Sequence, residues 1–223
     1  MKSKIITLWY WLLQLFYPQK CILCRKLLTR EQTDLCTPCR RIAPEFTKPS
    51  RTIPFIENWT ALWYYSGNVR RSILRYKFYN ARSYAKPFGR LLAMKLLSQE
   101  TDGIQLITWV PVSFRRRLRR GFDQSQLLAQ AIARELGVPA VATLIKTRHT
   151  TPQSVIREDA ARRANVLGAY RIKDPALVQG KTILLIDDIV TTGATVSECA
   201  KILLTAGARQ IHCAALAASN PKK

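Results

Sequence analysis

Acid is what this sequence is short of. Against 36 Lys and Arg it has 14 Asp and Glu, a formal charge of +22 at pH 7. Such a chain attracts polyanions: nucleic acid, phosphorylated small molecules or an acidic membrane surface. Histidine is scarcer still. His149 and His212 are the only two, neither stands in a partner arrangement, and a surface or core role suits each. No apolar run reaches the roughly 18 residues expected of a membrane-spanning helix. The nearest is residues 5–17, IITLWYWLLQLFY, preceded by Lys2 and Lys4. No small-residue cleavage site follows before Cys21, which argues against a signal peptide. A hydrophobic helix packed on the rest of the protein is the expectation, with peripheral contact at a membrane interface the competing use of its aromatics. The protein therefore reads as cytoplasmic. Apolar residues are not scarce: at 48% of 223 residues they allow one substantial core plus a small appendage and exclude a disordered polymer.

The chain is organised around residues 183–195, ILLIDDIVTTGAT. Residues 181–186 form a β-branched, nearly all-apolar run after Gly180, the pattern of a strand buried on both faces of a parallel sheet. Asp187 and Asp188 are expected where that strand ends. Thr191, Thr192, Gly193, Ala194 and Thr195 then make a hydroxyl-rich turn, and a helical pattern runs over 196–204. Backbone N–H groups and threonine hydroxyls at a helix N-terminus can surround a phosphate, and glycine lets the backbone approach closely. Two adjacent carboxylates repel each other unless hydroxyls, a metal or developing positive charge use them. The stretch resembles the phosphoribosyl pyrophosphate (PRPP) signature of type I phosphoribosyltransferases: four apolar residues, two acids, two apolar residues and TTGAT. The alternative is an ordinary strand–turn–helix of an α/β protein.

Four of the six cysteines stand as Cys21-x2-Cys24 and Cys36-x2-Cys39, eleven residues apart. Two tight turns can offer four thiolates to one tetrahedral ion, and zinc fits that geometry as a closed, structural site. The competing arrangement is a pair of disulfides, which a cytoplasmic setting disfavours. Cys199 and Cys213 sit in apolar runs and read as small buried hydrophobes. Residues 44–54 carry three prolines and read as a linker, and residues 59–65 as a strand. Residues 67–90 then hold Arg70, Arg71, Arg75, Lys77, Arg82, Lys86 and Arg90 without an acid, interleaved with Tyr76, Phe78, Tyr79, Tyr84 and Phe88. Single-stranded nucleic acid is bound by such cations and stacking aromatics; the same aromatics also suit the core face of one or two helices.

Residues 105–111 read as a second buried strand, leading into a turn with Arg115, Arg116, Arg117, Arg119 and Arg120. A helix follows over 123–136, stopped by Gly137. In a parallel sheet both turns emerge at the carboxyl edge, where ligands bind, so the arginines are expected to face the phosphate turn. Five exceed what one diphosphate needs, which favours a longer polyanion for some of them. Residues 138–144 are a strand candidate, 146–167 polar and partly helical, 170–173 an edge strand and 211–217 a last buried strand.

Together these segments resemble the ComF family of competence-associated, phosphoribosyltransferase-like proteins. The resemblance spans almost the whole chain: both CxxC pairs, the basic stretch of 70–90, Val110-Pro111-Val112, RRGFDQSQLLA at 119–129, Thr151-Pro152-Gln153, RRANVLGAY at 162–170 and the PRPP signature. One position departs, since Asp123 stands where the family usually has Asn; a carboxylate there weakens the pull on an anion unless it pairs with an arginine.

The resemblance implies an α/β fold, a type I phosphoribosyltransferase-like parallel sheet flanked by helices (residues 51–223), behind a small four-cysteine zinc module (residues 1–50). It also implies natural transformation as the setting, with single-stranded DNA and a competence helicase or other transformation proteins as partners. In an active site of this kind, Thr191 to Thr195 would bind the 5′-phosphate. Asp187 and Asp188 would take the ribose hydroxyls and favour positive charge on the ribose. Mg²⁺ would accompany PRPP, and Arg115, Arg116, Arg117, Arg119 and Arg120, joined by Arg162 and Arg163, would meet pyrophosphate or DNA. No general base for an acceptor is evident. Three readings stay open: a PRPP-dependent transferase, a DNA-binding adaptor that keeps the fold without chemistry, and a membrane-peripheral protein anchored by residues 5–17.

Overall fold

The computed structural model describes residues 18–49, 51–79, 81–99, 103–148, 150 and 158–219. The hydrophobic run of 5–17, His149 and Thr151-Pro152-Gln153 lie outside them. Four strands make one parallel sheet: β1 (Asn58–Tyr64), β2 (Leu106–Trp109), β5 (Thr182–Val190) and β6 (Gln210–Ala218), in the order β1-β6-β5-β2. The run ILLI is thus an interior strand, and its side chains divide between two cores. Leu184 and Ile186 join Ala214 and Leu216 beneath α2 (Gly67–Phe78), α3 (Ala85–Leu97) and α5 (Gln124–Leu136). Ile183 and Leu185 join Cys213 and Ala215 beneath α7 (Ala194–Thr205). Burial on both faces explains why these strands read as continuous apolar runs rather than as alternation. The fold is the α/β arrangement, a parallel sheet flanked by helices, that the resemblance implies.

Several expectations shift. Residues 44–54 are not a free linker: Glu45 bridges Trp63 on the open side of β1, and Phe46 and Ile53 are buried, with Phe46 against Trp59 and Tyr64. The strand expected over 138–144 reduces to a bridge at Ile107 and Ala140, because Pro139 offers β2 a carbonyl but no N–H. β3 (Leu144–Lys146) pairs instead with β4 (Tyr170–Ile172) as a separate antiparallel hairpin packed with the α7 core. The arginine-rich turn is a helix, α4 (Phe114–Arg120), between Ser113 and Gly121; arginine and leucine are good helix formers, so the segment needs only ends that release it. Cys199, Cys213 and His212 are buried, as core residues should be.

The cysteines fold against the sheet's helical layer. Cys36 stands at the N-cap and Cys39 within the short helix α1 (Thr37–Ile42), and Cys21, Ile22, Leu23 and Leu35 share one cluster with Tyr76, Phe88 and Leu92. Ser72 and Arg75 of α2 both donate to the Ile22 carbonyl, Arg75 also to that of Leu23, and Arg90 of α3 grips Asp34 with two hydrogen bonds. Among the described residues no helix is long and apolar enough to cross a membrane.

Candidate functional site

The two acids lie inside a strand rather than at its end. β2 stops pairing with β5 at Trp109 opposite Ile186, whereas β6 continues alongside β5 to Val190 opposite Ala218. From Asp187 onward β5 therefore has a neighbour on one side only. The opening left by β2 is lined by what β2 leads into, α4 and the start of α5.

Each acid is held by named donors. Asp187 Oδ1 accepts from Ser125 Oγ at 3.2 Å and from the Asp188 N–H at 2.8 Å. Asp188 Oδ1 lies 2.9 Å from Lys77 Nζ, which comes from the last turn of α2. Burial and then the neighbouring Asp188 charge push the Asp187 carboxyl up to about 7, against the opposing pull of the Asp188 N–H, Lys77 and Ser125. Removal from water is thus the main reason the Asp187 carboxylate is costly.

Beyond Val190 the chain turns through Thr191 and Thr192 into α7. Gly193 takes the left-handed conformation (φ 83°) at the N-cap. A Cβ there would come within 2.9 Å of two carbons of buried Ile53. Thr192 Oγ1 accepts from the Ala194 N–H at 3.3 Å, and Ser219 Oγ donates to the Thr191 carbonyl at 3.1 Å. The turn is pinned before any ligand arrives. Gly193→Ala is expected to cost about 2 kcal/mol, from the left-handed backbone and the displaced Ile53 together, read as a lower thermal midpoint.

Helix α4 splits its arginines. Arg116 and Arg120, one turn apart, are half-buried; Arg115, Arg117 and Arg119 are exposed beside exposed Phe114 and Leu118. Arg116 donates to the Thr150 carbonyl at 2.6 Å, and Arg120 donates to Gln124 Oε1 at 2.7 Å while lying over the Phe78 ring. Burial lowers both guanidinium pKa values, and in both the Asp188 charge opposes the shift, so the inward pair shares the field of the acids. Arg162 and Arg163 fall on α6 (Asp159–Val166), with their side chains outside what is described.

Among the described residues no ion pair joins Asp123 to an arginine. Asp123 caps α5: Oδ1 accepts from the Gln126 N–H at 3.1 Å and Oδ2 from the Val112 N–H at 3.0 Å. One carboxylate thereby ties the α5 N-terminus to the segment after β2. From the hairpin, Lys146 Nζ donates to the Tyr170 hydroxyl at 2.9 Å, and burial together with Arg116 brings its pKa down to about 8.

Lys77, Ser125 and Lys146 are the contributors that reading motifs does not single out. For Lys77 a signal exists: it falls four residues after Ile73, on the stripe of Val69, Ile73 and Tyr76 that α2 buries. A cation on an apolar stripe needs a buried partner. Three of the remaining six cations of 67–90 serve the fold, Arg75 and Arg90 on the cysteine module and Arg82 on the Gly121 carbonyl. Tyr76 and Phe88 are core residues, and Phe78 and Tyr79 are exposed. A cavity of about 510 Å³ lies at the opposite, amino edge of the sheet against Asn58, Thr60, Leu184 and His212, apart from the acids.

The four cysteine sulfurs of residues 21, 24, 36 and 39 lie within 4.8 Å of one another, with Cys24 and Cys36 3.6 Å apart. A tetrahedral ion with bonds of about 2.3 Å requires sulfurs roughly 3.8 Å apart, so the cluster could hold one. Burial pushes the Cys39 thiol up and so do the neighbouring thiols. At Cys21 burial acts the same way, but the N–H groups of Cys24, Cys36 and Leu23 together outweigh it and bring the thiol down to about 7. A cation between the sulfurs would relieve that crowding.

The family model described as phosphoribosyl transferase domain matches residues 123–223. DNA utilization protein YhgH of Escherichia coli O157:H7 is 33% identical, with 87% of this chain and 95% of that protein covered. Competence protein F of Haemophilus influenzae is 26% identical, covering 88% and 96%. Competence protein ComFC of Streptococcus pneumoniae is 30% identical over 68% of this chain and 64% of its own.

Proposed function

The chain belongs to the ComF family of competence proteins, with a phosphoribosyl transferase domain, and from that premise we propose that it binds PRPP with Mg²⁺ at the carboxyl edge of its sheet and works on or beside single-stranded DNA during natural transformation. The observation that carries this reading is the placement of Asp187 and Asp188 where β5 has lost its β2 neighbour, between the pinned Thr191–Gly193 turn and the inward arginines of α4. Thr191, Thr192, Gly193, Ala194 and Thr195 take the 5′-phosphate at the start of α7. Asp187 and Asp188 accept from the 2′- and 3′-hydroxyls and stabilise the positive charge that grows on the ribose as the pyrophosphate bond breaks. Arg116 and Arg120 neutralise the pyrophosphate, and Mg²⁺, arriving with PRPP beside Asp187 and Asp188, would supply further neutralisation of the departing diphosphate's charge. Zinc, held by Cys21, Cys24, Cys36 and Cys39, is structural in this proposal. So is the division at about residue 50 into a metal-holding module and the phosphoribosyltransferase-like domain.

Calorimetry with PRPP and Mg²⁺ tests the reading. Saturable binding that disappears in the double variant Asp187→Ala, Asp188→Ala is expected; no heat, or heat unchanged in the variant, sinks it. A second reading, an adaptor that binds DNA without turnover, is favoured by the outward face of α4, where Arg115, Arg117 and Arg119 stand exposed with Phe114 and Leu118. Oligonucleotide affinity over a salt series addresses it, because each phosphate contact on a single strand adds about 0.7 to the logarithmic slope. Replacing the three arginines by glutamine is expected to flatten that slope; an unaltered slope places the contact elsewhere.

A further inference from the structure

Lys77 holds one of the two acids that the PRPP reading assigns to the ribose. Its ammonium sits on Asp188 Oδ1 at 2.9 Å, and both side chains are largely withdrawn from water, at 16% and 13% exposure. The backbone that carries it cannot easily retreat. Tyr76, fully buried, donates its hydroxyl to the Gln124 carbonyl at 2.8 Å, and Gln124 in turn accepts from Arg120, so the end of α2 is fastened to the start of α5. What can move is the side chain, a flexible stem bearing a compact charge with three donors.

Resting on the PRPP reading of the site, we propose that Lys77 is a substrate-binding residue that changes partner: it neutralises Asp188 in the free protein and passes to the pyrophosphate oxygens when ribose hydroxyls take over the carboxylate. The charges compel the exchange. A ribose bound to the acid pair uses the lone pairs that Lys77 holds, and an ammonium left there without a partner is a buried unpaired cation, which costs several-fold more than any hydrogen bond it gives up. PRPP brings its own solution, since the diphosphate on the anomeric carbon lies beside the hydroxyls and offers the anion Lys77 then lacks. Among the described residues, Arg116 and Arg120 can meet the diphosphate only while partly committed to Thr150, Gln124 and Phe78, whereas Lys77 holds the very acid that the ligand would take from it and can follow the ligand. The exchange also predicts selectivity. Ribose 5-phosphate carries the hydroxyls without the diphosphate, so it must expel Lys77 and give it nothing in return.

Titration calorimetry of PRPP with Mg²⁺ and of ribose 5-phosphate, on the full chain and on Lys77→Met and Lys77→Arg, tests this. In Lys77→Met, PRPP affinity is expected to fall about tenfold or more, the loss of one charge-assisted contact. Ribose 5-phosphate affinity should be unchanged or tighter, and Lys77→Arg should recover most of the PRPP affinity. Parallel losses for both ligands, or no loss for either, overturn the proposal and leave the PRPP reading standing. If the unaltered protein binds neither ligand, the PRPP reading itself has failed and this inference with it. A melting curve on each variant separates a misfolded protein from an altered site, and the arginine variant keeps the comparison decisive if methionine unfolds it.

Discussion

Replacing Asp187 with asparagine is expected to make the protein more stable and at the same time to deprive it of its ligand. The asparagine oxygen can keep both contacts that Asp187 Oδ1 makes, with Ser125 Oγ and the Asp188 N–H, so the geometry survives. What disappears is the charge. Folding raises this carboxyl from 3.8 to about 7, so the native state holds the proton more tightly than the unfolded chain does. Stability therefore falls as pH climbs from about 4 through about 7 and levels off above. The full penalty is at most about 4 kcal/mol, and about half that once the partial exposure of the residue is allowed for. Thermal melts between pH 4 and 8 should show the unaltered protein declining over that window and Asp187→Asn losing most of the slope. At pH 8 the variant should melt about 6 °C higher, the shift for roughly 2 kcal/mol in a chain of this size. PRPP binding should drop about a hundredfold or more, because one of two ribose acceptors has lost its charge. A variant that is less stable at pH 8 would show that the acid is there for the fold.

A costly acid at the mouth of a sheet is the kind of local conflict that functional sites retain. It is also the part of the protein most legible in the sequence. ILLI announces a buried strand by composition alone, and two acids beside TTGAT have no role in a core. The stop of α5 at Gly137 is equally local, whereas Asp123, which reads as a carboxylate set among arginines, is instead the cap of that helix through the Gln126 and Val112 N–H groups. What local pattern does not carry is partnership across the chain. Lys77 and Asp188 are 111 residues apart by numbering, and nothing but the helical phase of α2 marks Lys77 out from Arg70 or Arg71. The basic stretch of 67–90 shows the same gap. Without an acid inside it, the segment reads as charge awaiting a polyanion, yet Arg75 and Arg90 find carbonyls and a carboxylate in the cysteine module, more than fifty residues earlier. The strand expected over 138–144 errs in the opposite sense. Its apolar run is real, but β-propensity cannot report that Pro139 lacks the donor a second ladder requires.

Stripping the metal that the four cysteines are proposed to hold is expected to weaken the whole protein rather than only its first fifty residues. The cysteines do not stand apart from the sheet's helical layer: Cys21, Cys36 and Cys39 are buried in one cluster with Leu62, Tyr76, Phe88 and Leu92. Two arginines are committed to the module, Arg75 to the carbonyls of Ile22 and Leu23 and Arg90 to Asp34. If residues 18–43 lose their shape, a cluster wall opens and two cations lose their partners at once. A structural zinc supplies on the order of 10 kcal/mol to its own knuckle; a loss of even about 4 kcal/mol to the shared cluster lowers the midpoint by about 10 °C or more. Chelation at pH 7, or Cys36→Ser, should therefore produce one cooperative melt shifted downward, checked by calorimetry alongside metal content. The damage should also reach the acids. Arg75 precedes Lys77 by two residues on α2, so freeing Arg75 loosens the turn that aims Lys77 at Asp188, and PRPP affinity should fall several-fold in the metal-free protein. Two separate melts, with the later one and the PRPP affinity both untouched, would instead make the cysteine module an independent appendage and assign its contacts with α2 and α3 no energetic role.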